Sequence, residues 1–211
     1  MRAPVKLFLA SSNPGKLAEY RALAGKGPVR AGHAPIRLDL LPGFESFAEF
    51  AENAPTFAEN AAGKALHYSR FYEGLVFADD SGLVVPALGG APGVLSARYA
   101  GPGASSAERN AKLLRELQGK RGRERAGYFV CAIGLAENGR IKAIVTARVD
   151  GEILKVPRGE RGFGYDPVFY ASELKKGFAE ISAEEKNEHS HRGRAFRKLL
   201  VFLACDILTD R

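Results

Sequence analysis

Four short segments of the chain set ionisable or hydroxyl side chains among glycines and other small residues. They are Ser11-Ser12-Asn13-Pro14-Gly15-Lys16, Asp79-Asp80-Ser81-Gly82, Gly162-Phe163-Gly164-Tyr165-Asp166-Pro167 and Ser190-His191-Arg192-Gly193. Each combines backbone freedom with groups able to bind phosphate, a metal ion or an aromatic base. Ser11 to Lys16 stands between an apolar run and a helix start, where unpaired backbone N–H groups and the helix dipole favour an anion. Lys16 adds a full positive charge there. The segment is not a Walker loop, which requires Ser or Thr after the lysine, because Leu17 follows. The alternative is an ordinary capped helix start.

Asp79 and Asp80 follow an apolar run, where strands of α/β sheets commonly present ligands. Neighbours on an extended chain point to opposite faces, so one of the two is expected at a ligand. Mg²⁺ suits such a place, since it takes one or two carboxylates plus substrate phosphate oxygens. Asp80, beside Ser81, is the chosen residue, and a turn that only satisfies backbone groups is the alternative. For a second carboxylate Glu45, Glu49, Glu52 and Glu59 compete. Glu59 is the weakest of these, because it sits three residues after Thr56 in a capping-box pattern. Lys64 reads either as a phosphate ligand or as a solvated lysine.

Phe163 and Tyr165 lie in a glycine loop beside Asp166, which suits stacking on a base; the alternative is two rings that plug the core. His191 and Arg192 follow Ser190 at a helix start. Positive charge is disfavoured by the dipole there, so a ligand for these groups is the more informative reading.

The elements that must position these groups follow from periodicity and punctuation. A strand is expected at Val5 to Ala10, then a helix from Pro14 to Leu23 capped by Asn13. Gly25 to Pro55 reads as mostly irregular, with one strand at Arg37 to Leu41. A helix capped by Thr56 runs to about Tyr72, and a strand at Leu75 to Ala78 resumes after a bend as Gly82 to Leu88. Ser105 or Ser106 caps a helix through Leu117, and Gly119 to Gly127 is a basic turn. Tyr128 to Ala136 and Ile141 to Val149 flank Asn138-Gly139, a strong hairpin signal. A last helix runs from Ser190 to about Leu208, with Phe196, Leu199, Leu200, Leu203 and Ile207 at helical spacing. The fold class is α/β with a mixed sheet, in a single folding unit.

Composition narrows the class of protein. The 211 residues are 45% hydrophobic, enough for a substantial core. Net charge is +7, and between Arg98 and Arg125 eight Lys or Arg face three Glu, a positive stretch suited to an anionic ligand. Cys131 and Cys205 sit in apolar runs and read as buried thiols, which suits a reducing cytoplasm. Val5 to Ala10 is too short for a signal-peptide core, and no apolar run approaches the roughly 20 residues of a membrane span.

Taken in order, the segments resemble the inosine triphosphate pyrophosphatase family. The likeness rests on Ser11-x-Asn13-x-x-Lys16, on Thr56-Phe57-x-Glu59-Asn60-Ala61-x-x-Lys64-Ala65, and on Ala78 to Leu83 continuing through Gly89-Gly90-Ala91-Pro92-Gly93 to Ser96-Ala97-Arg98-Tyr99. Gly162 to Pro167, Glu185-Lys186 and Ser190 to Gly193 complete it.

The resemblance implies a two-lobed α/β fold around a long mixed β-sheet, an active-site cleft between the lobes and a homodimer. It implies cleavage of noncanonical purine nucleoside triphosphates (ITP, dITP, XTP) between the α and β phosphates with Mg²⁺, or Mn²⁺. By motif position Ser11, Asn13, Lys16 and Lys64 would hold the triphosphate. Glu52 and Asp80 would bind metal, and Asp80 or water on the metal would activate the nucleophile. Ser81 would join the substrate contacts, and Phe163, Gly164 and Tyr165 would clasp the base. Asp166, Lys186, His191 and Arg192 would line the base and sugar pocket, with Arg192 the reader of a 6-carbonyl. Ser11-Ser12 departs from the Thr-Gly of many members, and the basic turn Lys120 to Arg125 has no place in the family pattern. The competing class is a nucleotide or nucleic-acid binding module without catalysis, which the positive charge and aromatic loop would suit.

Overall fold

The computed structural model describes residues 4–25 and 35–209. Within Gly25 to Pro55, residues 26–34 lie outside the described residues, as does the side chain of Ile207. Among the described residues, seven strands form one sheet in the order β2-β1-β3-β4-β5-β6-β7. They are β1 Val5–Leu9, β2 Ile36–Leu40, β3 Leu75–Val84, β4 Ala126–Glu137, β5 Arg140–Ile153, β6 Phe169–Ala171 and β7 Lys176–Gly177. β1 runs parallel to β2 and β3, whereas β6 is antiparallel to β5 and β7, so the sheet is mixed as expected. The helices are α1 Pro14–Gly25, α2 Phe57–Tyr68, α3 Ser106–Glu116, α4 Ala183–His189 and α5 His191–Thr209.

Local chemistry accounts for most boundaries. Asn13 Oδ1 accepts Gly15 N–H at 2.9 Å and Lys16 N–H at 3.2 Å, which caps α1. Ser105 and Glu108 form a reciprocal capping box on α3. At α2 only half of that motif forms. Thr56 Oγ1 accepts Glu59 N–H, while the Glu59 carboxylate accepts a hydrogen bond from the Thr56 hydroxyl instead of from a backbone N–H. Asn138 and Gly139 have φ of 50° and 71°, the two positive values that a tight two-residue turn between β4 and β5 needs.

By its internal contacts the chain divides into two compact units. The first comprises Met1–Asp80, Cys131–Ala147 and Arg192–Arg211, and the second Ser81–Val130 and Arg148–His191. Each has its own core. In the first, strand alternation sends Leu7, Leu9 and Phe77 to one face, against Tyr20 of α1 and Phe196 of α5. Phe8, Ala10, Val76 and Ala78 go to the other face, against Ala65 and Tyr68 of α2. With both faces covered, Leu7 to Ala10 and Leu75 to Ala78 read as continuous apolar runs. In the second unit Leu83, Leu113, Leu117, Phe129, Phe169 and Phe178 pack together, with the Phe129 and Phe169 ring centroids 4.6 Å apart.

Several boundaries differ from expectation. β3 runs without a break from Leu75 to Val84, so Asp79 to Gly82 is mid-strand rather than a turn. α2 stops at Tyr68, four residues early. The last helix runs as expected, from His191 to Thr209, but a short helix that the sequence reading did not name, α4, precedes it, with Ser190 in extended backbone (φ −68°, ψ 156°) between them. Cys131 is buried as expected, but Cys205 is exposed, on the outward side of α5.

Candidate active site

The parity of β3 sorts the two aspartates. Asp79 shares the face of Phe77, towards α1 and α5, and Asp80 shares the face of Val76 and Ala78, towards α2. Accordingly Asp79, fully buried, lies 2.9 Å from Lys16 Nζ and 3.6 Å from Arg192 Nε. Arg192 also pairs through Nη1 with Glu19, one turn beyond Lys16 on α1. Two carboxylates and two cations thus alternate in a buried cluster of the first unit. Burial raises the Asp79 carboxyl, but Lys16 and Arg192 outweigh it and hold it below the usual carboxylate range. Burial disfavours the Arg192 cation, yet Glu19 and Asp79 more than compensate and push it up.

The loop before α1 is also internally satisfied. Ser11 Oγ accepts Asn13 N–H at 3.1 Å, and Leu17 N–H reaches the Asn13 carbonyl at 3.3 Å. Pro14 has no N–H, so with Gly15 and Lys16 bound to Asn13 the first turn of α1 offers no unpaired donor. The capped helix start is thus present, with the Lys16 charge in its first turn.

On the opposite face Asp80, 7% exposed, accepts a hydrogen bond from Asn60 Nδ2 at 2.9 Å. Burial is the main reason its carboxyl is pushed up to about 6; the Asn60 bond lowers it and the Glu52 charge raises it. Glu52 Oε1 lies 2.5 Å from Lys64 Nζ. Burial lowers the Lys64 ammonium, but Glu52, Asp79 and Asp80 raise it further. Among the competing glutamates, Glu52 is thus the one whose charge acts on Asp80.

The second unit holds the aromatic loop. Asp166 Oδ2 accepts Phe163 N–H at 2.8 Å and the Lys186 ammonium at 2.5 Å, and that ammonium sits 4.6 Å from the Phe163 ring centroid. Gly162 has φ +76°, and a Cβ there would come within 2.2 Å of Asp166 Oδ2, so only glycine permits this turn. Phe163 is 39% exposed, whereas Tyr165 is 4% exposed and donates its hydroxyl to the Ser96 carbonyl at 2.9 Å. The two rings therefore divide the alternatives between them, one open to a ligand and one in the core. Asn110 Nδ2 of α3 holds the Gly164 carbonyl at 3.1 Å. His191 is buried, its ring stacked on Phe129 at 4.7 Å and 7°. Ser81, next along β3 from Asp80, is half-buried.

Asn60, Glu19, Ser96 and Asn110, which bond to the candidate residues, were not singled out in the sequence. Glu19 carried a usable signal, since it follows Lys16 at helical spacing. Three cations of the basic stretch from Arg98 are turned onto the chain itself, while Arg98, Arg115, Arg121 and Arg123 are exposed. Arg125 donates to the carbonyls of Leu117, Ile153 and Leu154 at 2.9, 2.7 and 2.6 Å, Arg109 to those of Ala97 and Ala104, and Lys112 to that of Tyr99.

Fold and site together define an α/β protein of the mixed-sheet class, with a buried acid and lysine–carboxylate pairs grouped around one strand. A sequence profile of the Ham1 family matches residues 7–202, and the chain belongs to that family. It is 48% identical over 194 residues, 92% of each chain, to a Geobacillus kaustophilus protein named dITP/XTP pyrophosphatase. A solved HAM1 protein from Coxiella burnetii is 40% identical, with a TM-score of 0.81 over 94% of this chain and 98% of that one. The Staphylococcus aureus Ham1 protein is 34% identical, with a TM-score of 0.82 over 95% and 99%.

Proposed function

We propose that the chain hydrolyses noncanonical purine nucleoside triphosphates, ITP, dITP and XTP, to the monophosphate and pyrophosphate. The observation that carries this reading is Asp80: a buried carboxyl with an affinity for protons near neutrality, beside the Glu52–Lys64 pair. A general base works best when its pKa lies near the working pH. Asp80 accepts a proton from the attacking water, whose oxygen bonds to the α phosphorus. The bond from that phosphorus to the bridging oxygen breaks, and pyrophosphate leaves with the electron pair.

The donor set also suits a divalent cation. No cluster of three His, Cys, Asp or Glu able to hold a metal ion occurs among the described residues. Two carboxylates whose charges disfavour one another, Glu52 and Asp80, do fit Mg²⁺, or Mn²⁺, when phosphate oxygens complete the shell. When bound, such an ion supplies positive charge to the phosphate oxygens as the anhydride breaks.

The reading assigns Ser11, Asn13, Lys16 and Lys64 to the polyphosphate. It assigns Phe163, Gly164, Tyr165, Asp166, Lys186, His191 and Arg192 to base and sugar, with Ser81 beside the reacting centre. Phe163 supplies the stacking face, and Tyr165 supports its loop. A 6-carbonyl accepts a hydrogen bond from a donor such as Arg192, whereas the 6-amine of adenine opposes it. Two opposed buried donors cost about 1–3 kcal/mol per unpaired group.

Against the nucleic-acid reading, Arg109, Lys112 and Arg125 are turned onto carbonyls of the chain itself, which removes three of the eight cations of that stretch from a polyanion. No helix of the described residues is long and apolar enough to cross a membrane. A cytoplasmic homodimer accompanies this reading, and light scattering in solution tests the dimer. The activity is tested by pyrophosphate release from inosine, deoxyinosine, xanthosine, guanosine and adenosine triphosphates with and without Mg²⁺. Equal or absent release from inosine and adenosine triphosphates would rule the proposal out.

A further inference from the structure

Asn60 lies in the first turns of α2 and is 1% exposed, an unusual place for an amide on a helix face otherwise packed with Ala61, Ala65 and Tyr68. Its side chain is anchored at both ends. Oδ1 accepts the Ala54 N–H at 2.9 Å, and Nδ2 donates to Asp80 Oδ2 at 2.9 Å while approaching the Ala54 carbonyl at 3.4 Å. A backbone N–H can only donate, so Oδ1 must face Ala54 and the amide cannot turn over. The only atom that Asn60 presents to Asp80 is therefore the donor Nδ2.

The same helix face governs the second acid. Lys64 stands one turn after Asn60, and residues four apart on a helix are neighbours on its surface. Its ammonium holds Glu52, two residues before Ala54. One turn of α2 thus grips Asp80 by an amide and Glu52 by an ammonium, and the Ala54 contact ties the intervening loop to the amide.

We infer that Asn60 is a positioning residue for the reaction, fixing the Asp80 carboxylate and registering the loop that carries Glu52 against it. The inference rests on the function proposed above. Its chemistry is that of a fixed donor, which orients one carboxylate oxygen without taking part in any bond that forms or breaks.

The test compares Asn60→Asp, which keeps the acceptor for Ala54 but removes the donor to Asp80, with Asn60→Ala and with Asp80→Asn. Turnover of inosine triphosphate is measured beside calorimetric binding of its α,β-methylene analogue, which cannot be cleaved between those phosphates. Misplacing a reacting group costs about 100-fold, so kcat is expected to fall by roughly that factor in either Asn60 variant while analogue affinity stays within about threefold. Unchanged kcat in a folded Asn60→Asp protein overturns the inference, as does loss of analogue affinity with kcat retained.

If both single variants fail to fold, Asn60→Asp with Asp80→Asn restores a donor facing an acceptor. Recovery of cooperative melting in that pair supports the contact as the point of action, and no recovery overturns it. Normal turnover in Asp80→Asn would instead bring down the function reading itself, independently of Asn60.

Discussion

Lys16 holds its ammonium 2.9 Å from a carboxylate oxygen of Asp79, whose side chain has no exposed surface. The lysine proposed for phosphate is therefore already half of a buried ion pair, and Arg192 shares the same carboxylate. Removing one partner of a buried pair typically destabilises by about 3–5 kcal/mol, because the other charge is left buried. Asp79→Asn is expected to lose stability in that range by denaturant unfolding. Since the Asp79 carboxyl is held below its usual range, the deficit should be complete at neutral pH and shrink as acid protonates the wild-type group. A deficit independent of pH would count against the pairing.

Asp80 runs the other way. Its carboxyl is raised to about 6, so the folded protein is penalised for ionising it as pH rises from the ordinary carboxylate range to above that value. In metal-free buffer Asp80→Asn should therefore stabilise the protein at neutral pH, by up to about 3 kcal/mol, with the gain vanishing near pH 4. Turnover should be almost abolished. In the wild type kcat/KM should fall as pH drops through about 6, because the protonated acid cannot accept a proton from water. A flat profile between pH 5 and 8 would exclude Asp80 as the base.

Phe163 and Tyr165 should separate in their effects. Phe163→Ala removes an exposed ring, so stability should change by less than about 0.5 kcal/mol. The nucleotide KM should nevertheless rise about 5- to 100-fold, the equivalent of a lost base stack. Tyr165→Phe removes a buried hydroxyl that bonds to the Ser96 carbonyl, and about 1 kcal/mol of stability should go with it. Thermal melts beside steady-state kinetics distinguish the two.

Gly162→Ala forces a methyl into the space of the Asp166 carboxylate, which holds both the Phe163 amide and Lys186. The positive φ adds about 1–2 kcal/mol of backbone strain. Both melting temperature and nucleotide affinity should fall together; a variant with normal KM would show that this loop does not contact substrate.

The sequence by itself determined the local structure and the cast of residues. Caps at Asn13, Thr56 and Ser105 and the Asn138-Gly139 turn were legible because each depends on contacts within about four residues. The rule that neighbours on a strand face opposite ways already divided Asp79 from Asp80. The structure showed the chain extended through both, where a turn was one alternative. β6 and β7, at three and two residues, are too short for any periodicity to register.

Only the tertiary structure decided which charges meet. Glu19 and Arg192 pair across 173 positions, and Asn60 reaches Asp80 across 20. No local pattern specifies such contacts, because they follow from which helix packs on which face of β1 and β3. Arg125 makes the same point. In the sequence it belongs to a basic stretch suited to an anion, and in the fold its guanidinium is buried on three carbonyls because water is excluded there and those acceptors need donors.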